Sequence, residues 1–193
     1  MQVMMCMTCA MAFGLAAIAD ELAVVFYGEA FAGSGPMMLW LGFTLILIGL
    51  ANVIRTQWVL PQGRDRIFVI SVCSGAVVNL IINSLLIPKY HAMGAVIGTL
   101  AAELTVPLVQ YLFLRKDLPY GRYTRYVLVY AVIGLVMLAA VSFVKRSLAW
   151  GVMNLAVCTL TGGIIYGSVC LLYWKLSGQK AILGLIGKKG LKR

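Results

Sequence analysis

The chain contains six apolar blocks, each about as long as one crossing of a lipid bilayer. They occupy residues 2–19, 36–60, 67–87, 93–114, 126–144 and 152–174. A membrane-spanning helix needs about 20 apolar residues at a rise of about 1.5 Å each. The blocks lack the alternation of barrel strands, so helices are the spanning form that satisfies the backbone in lipid. The sequence therefore predicts an all-α polytopic membrane protein with about six transmembrane helices.

The composition agrees with this class. Hydrophobic residues make up 62% of the chain and charged residues only 11%, whereas a soluble domain carries roughly 25% charged residues. The net charge of +10 would suggest nucleic acid as a partner of a soluble protein. Here it is expected to lie in loops and to set orientation, so no nucleic-acid partner is predicted.

The distribution of lysine and arginine predicts the orientation. With a cytoplasmic N-terminus, the inner loops and tail hold twelve of these residues and the outer loops hold three. The inner residues are Arg64, Arg66, Arg115, Lys116, Arg122, Arg125 and the six of the 175–193 tail; the outer ones are Lys89, Lys145 and Arg146. This asymmetry satisfies the positive-inside rule. We expect a multi-pass protein of the plasma (inner) membrane with both termini cytoplasmic.

The loops predict how the helices are connected. Asp20 and Glu21 are expected to end the first span, in an acidic outer loop. The very short segment 89–91 makes the third and fourth helices antiparallel neighbours, and Pro107 is expected to bend the fourth. Residues 115–125 are predicted to form a basic loop.

The tail at residues 175–193 mixes isoleucine and leucine with lysine and arginine. Such a segment suits the surface of an anionic leaflet. A disordered basic tail is the alternative, and the sequence does not choose between the two.

Two ionisable residues, Arg55 and Glu103, lie within apolar blocks, where a charge costs about 2.5–3.5 kcal/mol on insertion scales. Arg55 is only five residues from Leu60, so it either extends to the inner headgroups or faces a cavity. Glu103 lies too deep in its span for its side chain to extend to the headgroups. Its carboxyl is either paired or protonated within the protein, or it binds a substrate, proton or cation in a cavity.

Amide side chains lie on the second and third spans. Gln57 is two residues after Arg55, and Asn79 and Asn83 lie on one face of the third helix because they are four residues apart. In lipid such a face turns toward other helices or toward water. The candidate cavity residues are Arg55, Gln57, Asn79, Asn83 and Glu103.

Catalytic patterns are missing from the sequence. We find no nucleophile–base constellation, no phosphate-binding glycine loop with its lysine and no metal-ligand spacing, so neither an enzyme nor a cofactor is predicted. Cys6 and Cys9 have CxxC spacing, but a βαβ setting and a second pair are lacking. All five cysteines lie in apolar blocks and are interpreted as small lipid- or helix-facing residues.

From Tyr27 to Lys116 the chain resembles the polysaccharide-biosynthesis (Wzx-type) flippases for lipid-linked oligosaccharides. These belong to the MATE-like multidrug/oligosaccharidyl-lipid/polysaccharide exporter superfamily. The resemblance rests on the order and spacing of seven short stretches: YGEAF at 27–31, GLANVIRTQ at 49–57, LPQGRDR at 60–66, GAVVNL at 75–80, LIPKY at 86–90, GAVIGT at 94–99 and AE at 102–103. The helices after Lys116 fit the family only by hydropathy.

The resemblance implies a part of a two-lobed transporter. Residues 1–114 would be four helices of the second lobe, 115–174 two additional C-terminal helices and 175–193 a basic cytoplasmic tail. Such flippases move polyprenyl-pyrophosphate-linked oligosaccharide across the membrane by alternating access, for cell-surface polysaccharide biosynthesis. Arg55 matches a basic position of the family and would face the diphosphate, while Gln57 and Asn79 would line the same route.

Other functions stay open. A multidrug cation antiporter of the same superfamily needs acidic cavity residues, and Glu103 is the candidate here. A non-transporting membrane subunit is a further alternative. The expected partners are the lipid-linked oligosaccharide, membrane lipids and a coupling ion, either proton or sodium.

Overall fold

A computed structural model describes residues 1–146 and 151–177, and these are almost entirely helical. The five α-helices are α1 (Gln2–Tyr27), α2 (Gly35–Ile54), α3 (Asp65–Leu114), α4 (Tyr120–Lys145) and α5 (Val152–Leu176). A 3-10 turn at Glu29–Ser34 precedes α2, and a π turn at Arg55–Val59 with a 3-10 turn at Leu60–Gln62 continues it. By length and composition all five helical segments can cross a membrane. The predicted all-α class is therefore confirmed for the described residues, with helices long and apolar enough to cross a membrane.

Helix α3 accounts for the difference between six predicted spans and five helices. It has 50 residues, and its backbone leaves the helical region at His91, with φ 49° and ψ −127°. Gly94 lies directly against the backbone of Leu86, and Gly75 lies against Val106, about 15 residues from the turn on each arm. These contacts are those of two antiparallel arms, so α3 is a hairpin. Both predicted helices are present, joined by a tight turn at His91 instead of a loop.

Several predicted boundaries were wrong. Helix α1 does not end at residues 20–21 but continues to Tyr27, because the Glu21 side chain is buried among partners on other helices. Helix α4 begins at Tyr120, so the connection before it is shorter than the predicted loop at 115–125. The backbone at Pro107 keeps helical angles, and the bend predicted there stays a prediction.

Helix α1 lies at the centre of the bundle, in contact with α2, α4 and α5, while the α3 hairpin packs mainly on α2. One hydrophobic core joins α1, α4 and α5. It contains Met5, Cys9, Phe13, Ala17, Tyr130, Ile133, Met137, Val141, Cys158, Tyr166 and Cys170. A smaller cluster joins the end of α2 to the end of α3 and contains Ile54, Val59, Leu114 and Leu118.

The start of α1 and the end of α5 lie at the same end of the bundle. The Tyr130 hydroxyl accepts hydrogen bonds from Gln2 Nε2 at 3.0 Å and from Trp174 Nε1 at 2.8 Å. Met1 packs against both hydrophobic clusters, so the ends of α2 and α3 are at this end too. We call it the basic end, because its segments carry Arg64, Arg66, Arg115, Lys116, Arg122, Arg125 and Lys175. The opposite end carries Lys89, Lys145 and Arg146, and tail residues 178–193 lie outside the described residues.

Candidate functional site

Arg55 begins the π turn that follows α2. The N–H of Leu60 bonds to the carbonyl of Arg55, five residues earlier. Pro61 comes next and has no N–H to donate, so the regular pattern cannot continue through this turn. Wide turns of this kind occur frequently at functional sites. The sequence thus gives Arg55 an irregular backbone inside a segment long enough to span the membrane.

The Arg55 guanidinium packs on an aromatic ring and has no acidic partner among the described residues. Its central carbon lies 4.0 Å from the centroid of the Phe68 ring, a cation–π geometry. Its Nε is buried and has no hydrogen-bond partner in the part of the chain that the structure describes. Within residues 1–146 and 151–177, the ion pairs involve other residues. Arg55 is therefore a partly buried cation, and no carboxylate among the described residues neutralises its charge.

Polar residues flank Arg55 in the sequence, at the end of α2 and on the π turn. Asn52, Thr56 and Gln57 are exposed at the protein surface, and Thr56 uses its hydroxyl to bond to the Asn52 carbonyl at 2.7 Å. The indole N–H of Trp58 is buried without a partner. A guanidinium with spare donors and nearby amides is suited to bind an anion with several oxygen atoms.

Arg64, at the same end of the bundle, differs from Arg55 because it has an acidic partner. Its guanidinium forms an ion pair with Asp117, which connects the turn before α3 to the turn after it. Arg55 is seven residues from Gln62, the last residue of this helical segment, which is about 10 Å along a helix. It therefore lies deeper in the segment than Arg64.

Asn79 and Asn83 form a pair on the first arm of the α3 hairpin. Asn83 Nδ2 donates to Asn79 Oδ1 at 2.9 Å, which confirms the predicted common face. The Oδ1 of Asn83 is buried and finds no hydrogen-bond partner within residues 1–146 and 151–177. The side chain lies against Gly98 of the second arm. The pair begins eleven residues after Phe68, about 16 Å along the helix, and so lies apart from Arg55.

Glu103 lies on the second arm of the hairpin and is partly buried. No hydrogen bond or ion pair of its side chain is found in the part of the chain that the structure describes. The five predicted residues therefore fall in three places. Arg55 and Gln57 share the π turn, Asn79 and Asn83 share the first arm, and Glu103 stands on the second.

A buried polar cluster escaped the sequence analysis. Glu21 and Asn154 are each 1% exposed, and Asn154 Nδ2 donates to Glu21 Oε1 at 2.9 Å. Lys145 Nζ lies 3.9 Å from the same oxygen, and Cys158 Sγ donates to Asn154 Oδ1 at 3.1 Å. We call these four residues the Glu21 cluster. It connects α1, α4 and α5 at the end opposite the basic end.

One signal in the sequence could have revealed this cluster. Apolar residues continue after Asp20 and Glu21 as far as Phe26, so the acidic pair could have been placed inside a helix. The partners Lys145 and Asn154 are more than 120 residues away, and no local pattern brings them to Glu21.

A groove of about 520 Å³ runs between α1, α4 and α5. Its lining is apolar and rich in small residues, including Gly14, Met137, Gly162, Gly163 and Tyr166. None of the five predicted cavity residues contributes to it. The predicted polar lining and this groove are therefore different places in the molecule.

In comparisons of the whole chain with known proteins, no family model, no curated protein and no solved structure matches.

Proposed function

We propose that the chain is a part of a flippase that exports lipid-linked oligosaccharide for cell-surface polysaccharide biosynthesis. The support is of two kinds. The chain has helices that can span a membrane, and its residues 27–116 resemble the Wzx-type pattern in order and spacing. The chain would contribute the C-terminal portion of a MATE-like fold, with residues 1–114 as part of the second lobe.

The observation that carries the proposal is the unneutralised guanidinium of Arg55. A polyprenyl-pyrophosphate substrate has a diphosphate that must be bound by cations or hydrogen-bond donors inside an apolar surrounding. Arginine binds phosphate oxygens through two parallel N–H donors. Phe68 packs against the guanidinium, and no carboxylate of the described residues pairs with it. In this proposal Gln57, on the same turn, provides a further donor.

The other predicted residues take roles along the path of the substrate. Asn79 and Asn83 have a buried amide oxygen without a partner and would contact sugar hydroxyls. Glu103 would bind the coupling ion, a proton or sodium, because it is a carboxylate within a spanning helix. These assignments rest on the resemblance and on residue chemistry.

The orientation in this proposal places the basic end in the cytoplasm. Among the described residues, seven lysines and arginines lie at that end, not counting Arg55, and three lie at the other end. The positive-inside rule favours the side with more of them for the cytoplasm. Arg55 would then meet the diphosphate near the leaflet in which the substrate is made.

The test is binding of polyprenyl diphosphate to the purified full chain in lipid nanodiscs, measured by quenching of tryptophan fluorescence. Polyprenyl monophosphate and uncharged polyprenol serve as comparison ligands. We expect the diphosphate to bind most tightly, and Arg55→Gln to weaken it about 10- to 100-fold, as for loss of a charge-assisted contact of about 1.5–3 kcal/mol.

The matched control is Arg66→Gln, an exposed arginine at the same end. It should change the dissociation constant by no more than about twofold, as expected of an exposed charge. Equal affinity of the wild-type chain for diphosphate and for uncharged polyprenol would refute the proposal. Equal losses in both variants would show a general charge effect and remove Arg55 from the site.

A second measurement is complementation of a defined flippase-deletion strain by the chain. Restored surface glycan that is lost in Arg55→Gln at equal membrane levels supports transport. Binding without complementation supports the alternative of a non-transporting subunit, which the measurement therefore separates from the flippase.

A further inference from the structure

Cys6 and Cys170 bring two thiols together from opposite ends of the sequence. Cys6 lies on α1 and Cys170 on α5, and their sulfur atoms are 3.7 Å apart. They are separated by 164 positions in the chain. All five cysteines of the chain are free thiols in this structure. Cys6 and Cys9 have CxxC spacing, but the sulfur contact of Cys6 is with Cys170 of α5.

Hydrogen bonds on both sides hold this contact in register. The Tyr166 hydroxyl donates to the carbonyl of Cys6 at 2.8 Å, one turn before Cys170. On the other side, Trp174 and Gln2 both donate to the Tyr130 hydroxyl. The segments around the two sulfur atoms are therefore fixed relative to each other, so the sulfurs need little movement to react.

The two thiols differ in access. Cys170 is 2% exposed, whereas Cys6 is only partly buried. Cys6 comes four residues after Gln2, the first residue of α1, which is about 6 Å along the helix. A small oxidant that reaches the basic end of the bundle therefore meets Cys6 first, and Cys170 is the sulfur next to it.

We propose that Cys6 and Cys170 are a modification site, at which peroxide converts the thiol pair to a disulfide between α1 and α5. The Cys6 thiolate attacks one peroxide oxygen, the O–O bond breaks, and Cys6 becomes a sulfenic acid while hydroxide leaves as water after taking up a proton. The Cys170 sulfur then attacks the Cys6 sulfur, the S–O bond breaks, and a second water leaves with the Cys170 proton. The two thiols lose two electrons and the peroxide gains them.

Disulfide formation requires only a small movement of the two sulfur atoms toward each other. The two sulfur atoms are 3.7 Å apart in the thiol pair. A disulfide has a sulfur–sulfur distance of about 2.05 Å, so this distance must shorten by about 1.6 Å. The bond would join α1 to α5 covalently across almost the whole chain. It would hold these two helices in their present packing until a reducing thiol reopened it. The inference stands independently of the proposed function.

The experiment uses the purified full chain in detergent. It is treated with hydrogen peroxide, free thiols are then blocked with a maleimide, and cross-linked peptides are identified by mass spectrometry. We expect one intramolecular cross-link, between the peptides that contain Cys6 and Cys170, and its loss on reduction with dithiothreitol. The wild-type protein alone supplies this result, so it does not depend on whether a variant folds.

Serine variants give the matched comparison. Cys9→Ser lies one turn from Cys6 and should form the cross-link like the wild type, as should Cys73→Ser on α3. Cys6→Ser and Cys170→Ser should each lower intramolecular cross-linking about tenfold or more. A cross-link between Cys6 and Cys9, or equal cross-linking in Cys170→Ser, overturns the proposal. So does the absence of any intramolecular cross-link in folded wild-type protein.

Discussion

The amide of Asn154 donates a hydrogen bond to the carboxylate of Glu21 over 2.9 Å, and both side chains are about 1% exposed. The bond crosses from α5 to α1, and Lys145 of α4 adds a cation 3.9 Å from the same carboxylate oxygen. Three helices of the central bundle thus meet at one buried carboxyl group. Within the described residues the second carboxylate oxygen has no hydrogen-bond partner, so this buried carboxylate is not fully satisfied by hydrogen bonds.

Replacement of Asn154 by leucine should destabilise the fold. Leucine has a similar size but cannot donate to Glu21, and a buried acceptor that loses its donor costs about 1–3 kcal/mol. Thermal unfolding of the purified protein in detergent should show a lower midpoint for Asn154→Leu. Asn52→Leu, at an exposed position on α2, is the control and should leave the midpoint nearly unchanged. An unchanged midpoint in Asn154→Leu would mean that the hydrogen bond contributes nothing to stability.

The Glu21 cluster also shows where prediction from sequence ends. An acidic pair after an apolar block is usually a helix end, and here that interpretation was wrong. Helix α1 continues because the carboxyl group is satisfied by residues that are distant in sequence. Hydropathy is a local property and finds helices, whereas the partner of a buried charge is a property of packing.

Gly134 and Gly163 each lie inside a helix, and replacing each by alanine provides a second comparison of stability. A Cβ at Gly134 would overlap the ring of Phe13, which is itself held edge-on against Phe43 at 5.2 Å. A Cβ at Gly163 meets nothing within 4 Å. Both substitutions by alanine gain the same helix propensity, about 1 kcal/mol, so their difference measures the overlap.

We expect Gly134→Ala to lower the unfolding midpoint, because overpacking of a core costs about 1–3 kcal/mol. Gly163→Ala should leave the midpoint unchanged or raise it slightly. The measurement is the same thermal unfolding in detergent, with both proteins at one concentration. A Gly134→Ala protein at least as stable as Gly163→Ala would show that α1 and α4 do not approach each other as closely as described.

The predicted cavity residues illustrate the same limit at the level of the site. The i, i+4 spacing of Asn79 and Asn83 correctly predicted a shared face, because that relation is fixed within one helix. Their position relative to Arg55 depends on how the α3 hairpin lies on α2, which no local pattern contains. The π turn at Arg55 was not predicted either, although Pro61 is the residue that removes a donor from this turn.

The ion pair between Arg64 and Asp117 should contribute little to stability despite its close contact. Both side chains are substantially exposed, at 45% and 35%, and exposed pairs contribute about 0–1 kcal/mol. A double-mutant cycle with Arg64→Ala and Asp117→Ala, measured by unfolding in detergent, should give a coupling energy below about 1 kcal/mol. A value of several kcal/mol would show that the pair is shielded from water.

Cysteine labelling from one side of the membrane tests both the α3 hairpin and the orientation. If α3 turns back at His91, residue 89 lies on the same side as residue 32 and opposite residue 116. Ala32→Cys and Lys89→Cys should therefore react with a membrane-impermeant maleimide added to intact cells. Lys116→Cys, which is also exposed, should react only after the cells are permeabilised, because the basic end is expected in the cytoplasm. Wild-type protein corrects for the native cysteines. Labelling of Lys89→Cys together with Lys116→Cys would contradict the hairpin, and reversal of all three results would keep the hairpin and overturn the orientation.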